Sequence, residues 1–352
     1  MLREELRKGD GDREMNWEEM RGVGHHTPTD RFFVHHHTDA PVIDVSTWTL
    51  TLHGDGLKDG PVTFDHHDLK AMPSVTMSAF LECAGNGRTF YTSQQNQRVS
   101  GTPWGLGAIG VAEWTGVPLR HVLEHAGLRD DAVDLMPRGL DSSYVEDGVD
   151  HGRFRRPLPV TKAMKDVLVV WEMNGAPLTR EHGFPIRLIV PDWVGVASIK
   201  WLGDIEVSTS ALHSPWSTDF YRLFGLGYPD EGSAPLTTMP VKSAFEIAPY
   251  AKLTRDEEVL LTGRSWSGNG PIRSVEVSTD GGRSWAPARM VGPRLAHTWA
   301  QWELPWCPDR RGPAVLMARA TDELGVTEAL GSPYNAKGYL WSGVVRHEIT
   351  VV

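Results

Sequence analysis

The chain has 352 residues, of which 40% belong to the hydrophobic set and 23% are charged, so it is long enough for two folded domains. Its formal net charge of -10 argues against nucleic acid as a partner, and its two cysteines imply no disulfide framework. Residues 1–17 carry no apolar leader, and no stretch approaches the roughly 20 apolar residues of a membrane span. We therefore predict a cytoplasmic protein, or a periplasmic one if a signal segment has been removed.

The sequence predicts two domains after a polar arm. Residues 1–24 are charged and are predicted to form a mobile arm or a short helix, residues 25–230 the first domain, and residues 240–352 the second. Between the domains, PDEGSAPLTTMPVKSAF has the composition of a linker. In the first domain, the alternation in VIDVSTWTLTLHGDG predicts a strand, and residues 66–73 and 118–126 have the apolar spacing and the stop signals of helices.

The second domain has short alternating strands separated by turns about every ten residues. Examples are VLLTGRSW, IRSVEVSTDGGRSW with its DGG turn, and VVRHEITVV. This pattern predicts a β-sandwich of immunoglobulin type, without the Cys-Trp-Cys pattern of antibody domains. The fold class of the whole chain is therefore predicted to be α+β.

Residues 78–91, SAFLECAGNGRTFY, contain a cysteine in a setting that suggests chemistry. An apolar strand delivers Cys83 into a loop with Gly85 and Gly87, and glycines allow close approach of a ligand to the backbone. The guanidinium of Arg88 lowers the cost of a thiolate and offers a fork for an oxyanion. On these residues alone, a buried structural cysteine is the commoner alternative.

Histidines are concentrated ahead of that strand, where residues 32–34 are predicted to form a strand that ends at His35, His36 and His37. A zinc site is one interpretation, since imidazole is a common metal ligand. Neighbouring side chains alternate faces in an extended chain, so the three rings cannot all point one way. We favour contact with a ligand at the strand end instead.

Further polar side chains lie near predicted strand ends later in the first domain. His182, Arg187 and Lys200 cluster there and could together bind phosphate. A turn, GLDSS, carries Asp141, and a basic run follows it. Such runs usually solvate a surface; this one consists of Arg153, Arg155 and Arg156.

The order of these motifs resembles the sulfite oxidase family of molybdenum enzymes. The resemblance is carried by LECAGNGR, WGLGAIGVAEWTGVPL, EMNGAPLTREHGFPIRLIVPDWVGVASIKWLG, Tyr221 after Trp216, and the late YNAKGYLWSG. It runs in order from about residue 32 to the end of the chain. It implies a molybdopterin-binding α+β domain followed by an immunoglobulin-like domain through which the protein forms a homodimer.

The resemblance also implies roles for single residues. Cys83 would be the thiolate ligand of molybdenum in a molybdopterin cofactor, Arg88 would line an anion pocket, and Tyr221 would assist proton movement near the metal. His35 takes the place of an anion-binding residue. The positions that hold the pterin and its phosphate are Phe33, His35, His36, His37, Asp141, His182, Arg187, Ser198, Ile199 and Lys200.

Two departures from the family pattern bear on the substrate. Family members that act on sulfite show Arg-Asn-His after the Phe-Val pair, whereas here His35 stands at the arginine position and lacks its bidentate fork. Residues 298–303 also lack the arginine that vertebrate members direct toward the active site. The resemblance includes no haem domain, so we expect electrons to leave to an external acceptor, a cytochrome or oxygen.

The predicted function is two-electron oxidation of a small anionic substrate, sulfite, to sulfate by oxygen-atom transfer. Arg88, with help from His35 and from Arg153 or Arg155, would neutralise the oxyanion. The alternatives within the family are a sulfoxide or nitrate reductase and a dehydrogenase of another sulfur compound. An alternative from another class is a non-catalytic binding protein on the same fold.

Overall fold

A computed structural model of the chain describes residues 12–352. Within this range, short helices lie at α1 His66–Ala71, α2 Thr89–Ser93, α3 Leu119–His125, α4 Val160–Asp166 and α5 Pro215–Thr218, with 3-10 turns at Trp17–Met20 and Gly195–Ala197. Among the helices of the described range, none is long and apolar enough to cross a membrane.

Two of these helices confirm the sequence prediction. Helix α1 begins at Asp65, whose carboxylate accepts from the Asp68 amide in a capping box, and it ends just before Pro73. Helix α3 buries Leu119, Val122 and Leu123 on one face. It ends before Gly127, whose φ of 79° lies in the left-handed region.

The first domain is built on two sheets. Its strands are β1 Thr49–His53, β2 Val62–Asp65, β3 Val75–Glu82, β4 Ile109–Pro118, β5 Asp134–Gly139, β6 Val145–Glu146, β7 Val149–Asp150, β8 Leu158–Pro159, β9 Leu168–Met173, β10 Ala176–Pro177, β11 Arg187–Ile189 and β12 Leu202–Ser208. One sheet has the order β2-β1-β12-β5-β8, and the other has the order β10-β9-β4-β3 with β11 paired to β9. An apolar core between the sheets and helices α3 and α4 fixes where the strand ends lie.

The second domain is a sandwich of two sheets, as predicted. Its strands are β13 Lys242–Phe245, β14 Lys252–Leu253, β15 Val259–Trp266, β16 Ile272–Ser278, β17 Ala286–Pro287, β18 Arg289–Val291, β19 Ala300–Trp306, β20 Gly312–Asp322 and β21 His347–Val351. The sheet β13-β15-β19-β18 packs on the sheet β14-β21-β20-β16-β17 over its own apolar core.

The segment that enters the first domain differs from two expectations. Residues 12–24 are packed against the rest of the molecule, because Met15, Trp17 and Met20 are buried in a cluster that joins the domains. Of the two predicted alternatives, the described part of this segment contains a short helix, the 3-10 turn Trp17–Met20, and it is not a mobile arm; residues 1–11 lie outside the described range. Residues 32–34 do not form a strand, since the ladder there is limited to a single bridge between Arg13 and Val34.

Candidate active site

One cavity in the first domain collects side chains from strand ends and loops that are far apart in sequence. Its described lining is Phe32, Phe33, Val34, His35, His36, His37, Leu81, Cys83, Ala84, Asp141, Phe154, Glu181, His182, Arg187, Gly195, Val196, Ser198, Ile199, Lys200, Trp201 and Tyr221. Every residue predicted to hold the cofactor is in this set, as are the predicted metal ligand and tyrosine. The structure thus brings these residues together, while their individual roles remain predictions.

Cys83 lies immediately after β3, where the ladder with β4 ends. Its amide donates to the carbonyl of Ala108 at 2.9 Å, and its carbonyl accepts from the amide of Asn86 at 2.9 Å. The side chain is 8% exposed. Burial raises the pKa of the Cys83 thiol, and the nearby Arg88 charge only partly offsets this. A metal ion that displaces the proton would supply the missing stabilisation of the thiolate.

The turn after Cys83 requires a glycine at residue 87. Its φ is 92°, in the left-handed region, and a Cβ there would lie 2.8 Å from the Trp341 side chain. This close approach packs the cysteine turn against residues near the end of the chain. The glycine signal read from the sequence therefore reflects packing of the turn as well as room for a ligand.

Arg88 lies beside Cys83 but is not among the described residues that line the cavity. Its Nε donates to the Lys337 carbonyl at 2.9 Å, and its Nη1 donates to the Thr102 carbonyl at 2.6 Å. The guanidinium also lies 5.3 Å from the ring centre of Tyr339. Arg88 is thus a fixed positive charge close to the thiol, and its action on a substrate anion remains a prediction.

The three consecutive histidines point to three different partners, in line with the alternation expected from the sequence. His35 Nδ1 lies 2.7 Å from Asp12 Oδ1, His36 Nδ1 lies 2.9 Å from Lys200 Nζ, and His37 Nε2 lies 3.4 Å from the Tyr221 hydroxyl. Burial, reinforced by the Lys200 charge, lowers the pKa of His36 to about 2. Burial likewise lowers the pKa of His37 well below its usual value, so both rings are neutral.

The three rings do not converge on a metal site. Within residues 12–352, the groups of side chains close enough to share a metal ion are Asp65 with His67 and Asp68, and Asp166 with Asp192 and His297. Neither group includes the triplet, so the zinc interpretation finds no support in the described geometry.

Tyr221 follows α5 and faces the cavity with an unusual backbone. Its φ of 54° is left-handed, which is uncommon for an aromatic residue and often marks a functional position. Its ring stacks on Tyr339 with centroids 5.2 Å apart. Burial raises the pKa of the Tyr221 hydroxyl well above its usual value, with Tyr339 and Cys83 adding to the effect. The hydroxyl therefore stays protonated and can donate a hydrogen bond into the cavity.

Two basic side chains in the cavity wall, the buried Arg187 and the half-buried Lys200, form no salt bridge with any residue in the range 12–352. Lys200 Nζ donates to the carbonyls of His35 and Glu181 at 3.0 Å each. Arg187 donates to the carbonyls of His182 and Ser198 at 2.9 and 3.0 Å. Burial lowers the pKa of Arg187 to about 9 and that of Lys200 well below its usual value. The carboxylates of Asp12, Asp141 and Glu181 only partly offset the effect of burial on the Lys200 pKa, so this arrangement suits an anionic ligand.

Two buried polar atoms in the same wall have no hydrogen-bond partner among the described residues. They are Asp141 Oδ1 and His182 Nε2. The other ring nitrogen of His182 lies 2.7 Å from the Thr179 hydroxyl, which fixes the ring orientation. Buried polar groups are rarely left unpaired, so both atoms are available to a ligand with donors and acceptors of its own.

The basic run does not take the place predicted for it. Arg153 lies 3.5 Å from an Asp204 oxygen. Arg155 donates to the His151 carbonyl and lies over the Trp216 ring. Neither arginine is among the described residues that line the cavity, although Phe154 between them is. Their help in neutralising a substrate at Cys83 stays a prediction that these contacts do not support.

Sequence reasoning missed several residues around the cavity. Asp12 lies in the segment assigned to a polar arm, yet it pairs with His35. Phe154, Glu181 and Trp201 line the cavity, and Trp201 stacks on His36 with centroids 5.7 Å apart. No local pattern marks these residues. Only the basic run beside Phe154 and the strand end beside Trp201 offered any signal.

The architecture and the cavity define an oxidoreductase that binds a molybdopterin. The family profile described as "Oxidoreductase molybdopterin binding domain" matches residues 37–216, and the profile "Mo-co oxidoreductase dimerisation domain" matches residues 234–327. The first covers half of the chain.

Relatives among characterised proteins agree. Sulfite oxidase of Gallus gallus is 33% identical over 88% of this chain and 68% of its own length. Mitochondrial sulfite oxidase of Homo sapiens is 35% identical over 79% of this chain and 52% of its own length. The chain thus spans between about half and two thirds of the length of these relatives. It belongs to the sulfite oxidase family of molybdopterin oxidoreductases.

One similar solved structure is that of an enzyme named for a different substrate. The sulfane dehydrogenase SoxCD from Paracoccus pantotrophus matches with a TM-score of 0.84 and 28% identity, over 98% of this chain and 86% of that one. The family therefore includes enzymes of more than one activity. Membership of this family supports the predicted enzyme class, the molybdopterin cofactor and the homodimer.

The cavity fits the cofactor that the family implies. Arg187 and Lys200 can balance a phosphate, and Asp141 Oδ1 and His182 Nε2 offer an acceptor and a ring nitrogen without described partners. Cys83 offers a soft sulfur ligand at the same cavity. Each of these features was identified from the geometry of the chain itself.

Proposed function

We propose that the chain oxidises sulfite to sulfate and passes two electrons to an external acceptor. In this reaction, sulfite and water give sulfate, two protons and two electrons. The observation that supports it is the presence, in one cavity, of the Cys83 thiol, the protonated Tyr221 hydroxyl and the cations Arg187 and Lys200. The enzyme class makes a non-catalytic binding protein the weaker alternative.

In this proposal Cys83 would hold the metal, and the pterin with its phosphate would be held by other residues that line the cavity. They are Phe33, His35, His36, His37, Asp141, His182, Arg187, Ser198, Ile199 and Lys200. When bound, the cofactor supplies the oxygen-atom transfer and the two-electron redox step. The protein supplies the anchoring, the electrostatics and the proton path.

The residues beside Cys83 can manage charge and protons during turnover. Tyr221 keeps its proton and donates a hydrogen bond toward the substrate, while the neutral His37 ring, whose Nε2 lies 3.4 Å from the hydroxyl, can donate its N–H to the Tyr221 oxygen. Arg88 places a fixed positive charge near the thiol and favours the approach of an anion.

A second candidate substrate, a sulfane sulfur compound, is favoured by one contact. His35 stands where sulfite-oxidising relatives have arginine, and its Nδ1 lies 2.7 Å from Asp12 Oδ1. The carboxylate neutralises any positive charge on the ring, so this position contributes little attraction for a dianion. The match to the sulfane dehydrogenase over 98% of the chain points the same way.

A steady-state assay with sulfite and an artificial electron acceptor tests the proposal. It is run on protein whose molybdenum content has been measured, in parallel with a protein-bound sulfane. Turnover of sulfite supports the proposal. If fully loaded protein oxidises the sulfane but not sulfite, the second candidate is correct.

Replacement of His35 by arginine tests whether this position limits sulfite binding. The arginine is expected to lower the KM for sulfite about tenfold at neutral pH, a gain of about 1.4 kcal/mol, because a guanidinium has enough N–H donors to bind Asp12 and an anion at the same time. His213→Arg, at an exposed position outside the cavity lining, is the matched control for added charge. An unchanged KM would favour a substrate other than sulfite.

The physiological acceptor and the location of the protein are further parts of the proposal. We propose a cytochrome or oxygen as the acceptor and the cytoplasm as the compartment. Fractionation of the native cell, followed by reduction assays with cytochrome in the active fraction, tests both.

A further inference from the structure

The second domain reaches the cysteine turn through a buried ion pair. Lys242, the first residue of β13, is 1% exposed, and its Nζ lies 2.6 Å from Oε1 of Glu82, which is fully buried. Glu82 is the last residue of β3 and directly precedes Cys83. The two side chains leave the backbone in opposite directions, so Glu82 faces the second domain while Cys83 faces the cavity.

Additional hydrogen bonds fix both ends of the cysteine turn to the same group. Trp266, the cross-strand partner of Lys242, donates to Glu82 Oε2 at 2.7 Å. Lys242 Nζ also donates to the Asn86 carbonyl at 2.9 Å, and Asn86 Nδ2 donates to Glu82 Oε1 at 2.8 Å. Asn86 Oδ1 accepts from the Ala108 amide at 3.0 Å. Both carboxylate oxygens of Glu82 are thus paired, and Cys83 lies between the two attachment points of the network, Glu82 and Asn86.

We propose that the Glu82–Lys242 pair positions Cys83, so that the second domain sets the placement of the metal's thiolate. Lys242 and Trp266 act as positioning residues, because they contact the turn and not the cavity. The buried Glu82 carboxylate accepts from three fixed donors and so has one orientation, and Cys83 is the next residue along the backbone. The domain that matches the dimerisation profile would thus also position the metal ligand of the first domain. The inference rests on the proposed role of Cys83 as metal ligand.

The first test measures the reactivity of Cys83 in full-length protein prepared without the cofactor. Iodoacetamide labelling is followed by mass spectrometry, with the exposed Cys307 as reference in the same molecule. Lys242→Met is expected to raise the labelling rate of Cys83 about tenfold relative to Cys307, because local opening exposes the thiol. Trp266→Phe, a milder change that removes one hydrogen bond to Glu82, is expected to raise it about threefold.

Two matched variants separate positioning from general loss of stability. Arg264→Met removes another buried cation of the same sheet, one that pairs with Glu246 and contacts residues before the first domain, away from the turn. Its Cys83 labelling rate should stay within about twofold of the wild type. The double variant Glu82→Gln/Lys242→Gln restores a neutral hydrogen-bonded pair and should return labelling to near the wild-type rate.

The second test uses the electronic spectrum and the electron paramagnetic resonance of the loaded enzyme. Lys242→Met should shift the sulfur-to-metal band and the resonance g values, whereas Arg264→Met should not. Wild-type labelling and spectra in both Lys242→Met and Trp266→Phe would overturn the proposal, and so would an equal rise in labelling in Arg264→Met. If Cys83→Ser leaves the spectrum unchanged, the ligand role fails and the inference fails with it. A changed spectrum in Cys83→Ser alone would refute only the positioning.

Discussion

Two regions of the molecule bury cations in opposite ways. At the contact between the domains, Lys242 pairs with Glu82 and Arg264 pairs with Glu246, each with nitrogen and oxygen 2.6 Å apart. In the cavity, Arg187 and Lys200 contact backbone carbonyls and form no salt bridge within the described range. The two regions therefore differ in whether the basic group has a direct counter-charge.

The comparison shows how to distinguish structural charge from charge kept for a ligand. A paired buried ion stabilises one arrangement of the chain, and loss of one partner leaves the other uncompensated. An unpaired buried cation is a cost that the folded chain carries until an anion binds. We therefore propose that an anionic cofactor binds at the cavity cations, whereas the interface cations join the two domains.

The largest expected effect comes from the thiol that lies between the two regions. Cys83→Ser should lower turnover by about a thousandfold, since it replaces the soft ligand with a poor one and the metal can no longer be held in the same state. The measurement is kcat at equal molybdenum content. Cys307→Ser, at an exposed position in the second domain, should leave kcat unchanged. Equal activity of the two variants would contradict the proposed role.

A stability measurement tests whether the ion pair at the contact between the domains stabilises the fold. Lys242→Met should lower the free energy of unfolding by about 3 kcal/mol, because it leaves the Glu82 carboxylate buried without a counter-charge. Urea denaturation of the cofactor-free protein gives this value directly. Addition of Glu82→Gln should recover most of the loss. A single variant as stable as the wild type would show that the pair is dispensable.

At Lys200, in the cavity, we expect the opposite outcome: little change in stability and a large loss of cofactor binding. Lys200→Met removes an unpaired, half-buried charge but also leaves the His35 and Glu181 carbonyls without a donor. These terms oppose each other, so the stability of the cofactor-free protein should change by no more than about 1 kcal/mol. Cofactor retention should fall about tenfold or more, as measured by molybdenum content after dialysis. A loss of stability as large as that of Lys242→Met would remove the distinction between the two regions.

The fold and the residues of the cavity could be predicted from the sequence, whereas most of the contacts around the cavity could not. Motif order placed Cys83, Lys200 and Tyr221 in one site, because glycine turns and strand ends leave local patterns. The pairing of Lys242 with Glu82 crosses 160 positions, and nothing near either residue announces the other. The contact of Asp12 with His35 could not be predicted for the same reason. A charged residue in a charged segment is expected to be solvated, and nothing near Asp12 in sequence indicates a histidine beside it.

The smallest expected effect is a pH dependence at the interface side of the second domain. Glu328 accepts hydrogen bonds from the Ser243 amide and hydroxyl and from the Ala320 amide, yet burial raises the pKa of its carboxyl to about 8. The folded state thus holds this proton more tightly than the unfolded chain. The stabilisation that results is complete below about pH 4.5 and is lost as the pH rises through about 8.

The stability should therefore decline by about 1.4 kcal/mol between pH 7 and pH 9, and Glu328→Gln should flatten this decline because its amide does not ionise. Urea denaturation at several pH values measures the slope, and Glu323→Gln, at an exposed position in the same domain, is the control. A slope that survives in Glu328→Gln would mean that the donors around the carboxylate, together with the Lys242 charge, already hold it ionised. In that case the interface would contain a fully compensated charge cluster, and the contrast with the uncompensated cavity would be greater still.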